Sequence, residues 1–99
     1  PAEPERGRHG WQAFVTWVDP AKAPLPRNEL MDRLHARGIA TRPGTHAVHE
    51  LGAFRHLRTD HPVASECGAQ TMALPLHNCM TAEDYKAVVM EIRTLDDDR

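Results

Sequence analysis

Gly38-Ile39-Ala40-Thr41-Arg42-Pro43-Gly44-Thr45-His46-Ala47-Val48-His49-Glu50 runs from a helix stop through a short apolar segment into a turn. Glycine tolerates the left-handed backbone that ends helices, so Gly38 closes the helix before it. That helix carries an apolar stripe of Leu30, Met31 and Leu34, with Asn28 as its cap. Glu29 and Asp32 lie near its positive end, and Arg33 and Arg37 near its negative end. Ile39 to Arg42 reads as a short strand, after which Pro43-Gly44-Thr45 must turn. Arg42, Thr45, His46 and His49 then form the densest group of cationic and hydrogen-bonding side chains in the chain.

Upstream, Trp11 to Val18 is aromatic and β-branched with apolar residues on both faces, which predicts an inner strand. Asp19-Pro20 ends it, and Pro20, Pro24 and Pro26 stiffen the loop ahead of the first helix. Downstream, a brief helix over Glu50 to His56 turns Leu51, Phe54 and Leu57 inward. A second helix starts at Asp60-His61-Pro62 and runs to Gln70. Thr71 to Leu76 is a third strand, and Pro75 either places it at an edge or confines its pairing to the residues before it. Thr81-Ala82-Glu83-Asp84 is a capping-box variant opening the last helix, whose stripe of Tyr85, Val88, Val89, Ile92 and Leu95 reads as core. Asp96-Asp97-Asp98 opposes the helix dipole, so that end is expected to fray.

The expected fold class is α+β: a two-layer domain with a short three-stranded sheet covered on one side by helices. The uncovered sheet face is expected to pack against a body outside these residues. Ninety-nine residues make one domain that buries about 60 to 65% of its unfolded surface. A net charge of -2 with interspersed signs provides no basic field for nucleic acid. No apolar run approaches the ~18 residues of a membrane helix, and no signal peptide is evident. Cys67 and Cys79 lack CxxC spacing and read as reduced thiols of a cytoplasmic protein. The chain begins at Pro1 rather than Met, and residues 1–10 are polar and aperiodic, so they read as a linker to a missing N-terminal large domain, with residues 11–99 as the domain that follows.

Five segments taken in order carry a resemblance: Arg8-His9-Gly10-Trp11-Gln12-Ala13-Phe14-Val15; Arg27-Asn28-Glu29-Leu30-Met31 through Arg37-Gly38-Ile39-Ala40-Thr41; His46 to Arg55; Ala73-Leu74-Pro75-Leu76-His77; and Met80-Thr81-Ala82-Glu83-Asp84. Together they resemble the C-terminal part of the DegT/DnrJ/EryC1/StrS aminotransferases. The resemblance implies the small C-terminal domain of a fold type I pyridoxal-phosphate (PLP) enzyme. It also implies a nucleotide-linked keto-sugar as substrate, an amino-acid donor, and a homodimer when whole. PLP would be bound mainly by the missing large domain, which carries the Schiff-base lysine. Lys22 and Lys86 read as solvated lysines, so no catalytic residue is expected here. The domain would form one wall of the substrate cleft.

Arg42, His46 and His49 are the first candidates for that wall, since a guanidinium and imidazoles suit anionic oxygens such as those of a diphosphate or the PLP phosphate region. The residues alone also allow a polar surface loop. His46-x-x-His49 has no third ligand at usable spacing, so no metal is expected. His9 and Gln12 begin the first strand, a region the family places near the cleft, and they join the substrate-binding candidates. The other reading is a free-standing α+β binding or regulatory module without catalysis.

Overall fold

A computed structural model describes residues 2–97. Three strands, β1 (Phe14–Trp17), β2 (Arg42–Pro43) and β3 (Thr71–Leu74), form an antiparallel sheet in the order β1-β3-β2. Three helices, α1 (Arg27–Ala36), α2 (Pro62–Gln70) and α3 (Ala82–Asp97), complete the α+β domain. The core joins Leu30 and Leu34 of α1 and Leu95 of α3 to Val18, Ile39 and Met72. Phe14 pairs with Leu74 and Thr16 with Met72, so alternation points these residues toward α1 and α3. Val15, Trp17, Arg42 and Ala73 share the opposite face, where Trp17 remains exposed.

Local rules hold at several element ends. Gly38 has a φ of +82°, its N–H donates to the His35 carbonyl at 3.0 Å, and the Ile39 N–H donates to the Leu34 carbonyl at 2.9 Å. This pair of bonds is the Schellman closure of α1. Pro62 occupies the first turn of α2. At α3 the capping box is reciprocal: the Thr81 N–H donates to Asp84 Oδ2 at 2.8 Å, and the Asp84 N–H to Thr81 Oγ1 at 3.2 Å.

Other expectations are corrected. The first strand starts at Phe14, because Trp11 has a φ of +45° and donates its N–H to Nδ1 of His9, two residues back, at 2.8 Å. β1 is an edge strand and β3 is central. β3 can hold the centre because both its ladders end by Leu74, before the missing N–H of Pro75. Asn28 is not the cap of α1: that position is Pro26, with no side-chain cap bond, and Asn28 Oδ1 instead accepts from Arg27 Nε at 2.7 Å. In place of a helix over Glu50 to His56 there are two single 3-10 turns, Val48–Glu50 and Arg55–Leu57. Turns of this length build no stripe, and Leu51, Phe54 and Leu57 stay exposed. In α3, Leu95 is buried and Val88 and Ile92 reach the core, whereas Tyr85 and Val89 are 43% and 48% exposed. They lie on the flank of a stripe wider than the core it meets. α3 continues through Asp97, while Asp98 lies outside the described residues.

Pro43 belongs to β2 rather than to a turn, and Gly44 serves a close approach. Its N–H donates to the Thr71 carbonyl at 3.2 Å. A Cβ there would lie 2.5 Å from Val15 Cγ1 and 2.7 Å from Thr71 Cβ. Gly44→Ala is therefore expected to cost about 1–3 kcal/mol through overpacking against backbone-anchored neighbours. Urea unfolding measures this, and a loss below about 0.5 kcal/mol, the level of an ordinary surface change, contradicts the close approach.

Candidate functional site

The chain after β2 is held on one side by Gly44 against β1 and β3, and on the other by Ala47, which is buried against α2. A Cβ on Gly68 would come within 3.2 Å of the Ala47 nitrogen. Between these two anchors the polar residues of the loop project outward, and His46 is exposed.

Arg42 is exposed on the edge strand β2, and among the described residues its guanidinium has no hydrogen bond or ion pair. It lines a cleft of about 180 Å³ with Gln12, Ala13, Thr41, Leu74 and Leu76. Gln12 also lines a second recess with Trp11, His77, Asn78 and Tyr85. His9 stacks on Trp11 with ring centroids 4.0 Å apart, and Trp11 stacks on Phe14 at 5.5 Å. His9 thus reaches the Gln12 region through the tryptophan.

His49 stands elsewhere. It sits in the first 3-10 turn with its side chain 11% exposed, its Nε2 3.0 Å from Ser65 Oγ and 3.8 Å from Glu50 Oε1. The His61 ring meets it edge-on, with centroids 4.9 Å apart. It lines a recess of about 400 Å³ with Arg55, Arg58, Thr59, Asp60 and Ser65. Arg55 Nε donates to the Glu50 carbonyl at 2.8 Å, which fixes one guanidinium at the rim. Arg58 adopts a left-handed backbone with φ 50° and ψ 42°, a conformation that costs a non-glycine residue energy and recurs at ligand sites. The structure therefore brings Arg42 and Gln12 together, leaves His46 exposed on the loop outside both linings, and places His49 in its own recess.

Ser65, Arg55 and Arg58 are recess residues that sequence reasoning missed. The polar run Arg55-His56-Leu57-Arg58-Thr59-Asp60-His61 was a visible signal of a working surface, while Ser65 had none. Neither lysine lines the clefts of Arg42, Gln12 or His49: Lys22 is 86% exposed beside Asp19, and Lys86 is exposed on α3. Among the described residues no three His, Cys, Asp or Glu side chains gather as metal ligands, and no helix is long and apolar enough to cross a membrane.

The profile of the DegT/DnrJ/EryC1/StrS aminotransferase family matches residues 1–93. Over 84 residues the chain is 34% identical to the GDP-perosamine synthase of Caulobacter vibrioides, covering 84% of this chain and 22% of that protein. The aminotransferase TlmJ from Streptoalloteichus hindustanus superposes with a TM-score of 0.79 at 24% identity, over 96% of this chain and 24% of that one. The PLP form of the sugar aminotransferase Spr1654 from Streptococcus pneumoniae gives 0.75 at 22% identity, over 87% and 22%. At these identities the structural likeness is one of fold. The chain spans under a quarter of the length of these relatives.

PLP dependence is a property the family implies, but the lysines present do not fit its covalent attachment, since both are solvated. Borohydride reduction of the chain with PLP is expected to leave no stoichiometric pyridoxyl label on Lys22 or Lys86. Mass spectrometry finding one label per chain on either lysine contradicts this.

Proposed function

The chain belongs to the DegT/DnrJ/EryC1/StrS aminotransferase family, and from that membership we propose that it is the small C-terminal domain of a PLP-dependent sugar-nucleotide aminotransferase. In this reading residues 1–10 are the linker from an N-terminal large domain, and residues 11–99 are the small domain. The large domain supplies the PLP lysine, and an amino acid donates the amino group that ends on a nucleotide-linked keto-sugar. The whole enzyme is a cytoplasmic homodimer. The observation that carries the reading is a family match along residues 1–93 in a chain whose two lysines are both exposed to solvent. The exposed Trp17, Tyr85 and Val89 are consistent with a further body covering this domain.

This domain's residues bind and orient rather than react. Arg42 presents an uncommitted guanidinium at a sheet edge, suited to a two-point contact with a phosphoryl group, while Gln12 offers both donor and acceptor from the same cleft. His46 is exposed on the loop after β2, His9 holds Trp11 by stacking, and His49 addresses the ligand from a separate recess. A charge-assisted contact of this kind is worth about 1.5–3 kcal/mol, or about ten- to a hundredfold in affinity.

In the full-length enzyme Arg42→Ala is therefore expected to weaken sugar-nucleotide binding by that factor. The PLP absorbance and the amino-donor half-reaction should be nearly unchanged. Calorimetric titration of the folded variant with unaltered sugar-nucleotide affinity contradicts the assignment and leaves the segment a polar surface turn.

A further inference from the structure

The recess around His49 holds a device that the family membership does not specify. The imidazole is almost enclosed, so its ring plane is set by neighbours. Nε2 faces Ser65 Oγ at 3.0 Å, and on the same side the Glu50 carboxylate oxygen lies at 3.8 Å. The His61 ring packs against His49 in a T-shaped contact. Ser65 is itself fixed, because it lies in α2 with its N–H donating to the His61 carbonyl at 2.9 Å.

A neutral imidazole carries one N–H and one lone pair, and the partner of one nitrogen decides the role of the other. The Ser65 hydroxyl can accept as well as donate, whereas an ionised Glu50 can only accept. The Ser65 hydroxyl serves either tautomer, so the bias comes from Glu50: a carboxylate on the Nε2 side favours the hydrogen on Nε2, and the Ser65 oxygen then accepts it. Nδ1 has no hydrogen-bond partner among the described residues, and none of their buried side-chain nitrogens lacks a partner, so Nδ1 reaches solvent.

We infer that Ser65 is a positioning residue that holds His49 as the Nε2–H tautomer, so that the Nδ1 lone pair serves as a hydrogen-bond acceptor for a ligand hydroxyl in the recess. His49 then recognises a polyhydroxyl group of the sugar kind, rather than donating to an anion. Arg55 and Arg58, which have donors only, line the same recess and suit the ligand's own acceptor oxygens. The identity of the ligand rests on the aminotransferase reading, whereas the tautomer does not.

Nitrogen-15 NMR of the histidine-labelled protein, with His49 assigned by comparison with His49→Gln, reads the tautomer directly at a pH where the ring is neutral. A protonated-type signal at Nε2 and a lone-pair-type signal at Nδ1 are expected. Ser65→Ala should move both toward an averaged value, and Ser65→Thr should restore them. A wild-type Nδ1–H tautomer overturns the inference even if neither variant folds, and so does a folded Ser65→Ala protein with an unchanged tautomer. In the full-length enzyme Ser65→Ala should raise KM for the sugar substrate about three- to tenfold with little change in kcat, and Ser65→Thr should reverse it. An active enzyme whose Ser65→Ala variant keeps the wild-type KM overturns the hydroxyl role. A wild-type enzyme without aminotransferase activity overturns only the functional reading on which the ligand's identity rests.

Discussion

The carbonyl of Thr71 is the point on which the arrangement depends. It accepts the Gly44 N–H at 3.2 Å and Arg27 Nη1 at 2.9 Å, while the same guanidinium nitrogen donates to the Gly68 carbonyl at 2.8 Å. Three segments distant in sequence are tied there: the first residue of α1, the exit from β2, and the junction of α2 with β3. Buried or half-buried carbonyls near a helix end need donors, and Arg27 supplies them from another element. The consequence is positional. With α2 and the exit of β2 fixed to one atom, the following loop must pass α2 at Ala47 and Gly68, and the next turn carries His49 to Ser65.

Local chemistry was legible in the sequence wherever a single residue type dictates a single backbone state. Gly38 ends α1, Pro62 begins α2, and Thr81 with Asp84 caps α3, each by rules spanning only a few residues. Strand order was not legible in this way. The run from Trp11 to Val18 reads as central because both faces are apolar, yet it is an edge, and its outward face carries an exposed Trp17. Apolar content reports what a face touches in the whole protein, while hydrogen-bonded neighbours are set by long-range pairing. Gly44 shows the same limit, because its role is to fit against Val15 and Thr71, which lie far away in the sequence.

The candidate site divides along the same line. Arg42 was identifiable as a strand-end arginine before a Pro-Gly pair, and it does line a cleft with Gln12. The separation of Arg42 from His49 was hidden, because it depends on the two 3-10 turns that replace a helix after Glu50. Ser65 was silent for a related reason: a helical serine has no distinguishing pattern until packing places a histidine beside it.

In the proposed reading these features make a wall rather than a reaction centre: two separate clefts of arginines, a glutamine, histidines and hydroxyls, with both lysines exposed. The central claim is that the substrate's sugar-nucleotide portion lies along this wall. Hydrogen–deuterium exchange of the full-length enzyme, compared with and without sugar nucleotide, tests it most directly. The account predicts slowed exchange in residues 41–50 and 58–65, with α3 unchanged. Protection confined to the rest of the polypeptide, with these two segments exchanging as in the free enzyme, would contradict it.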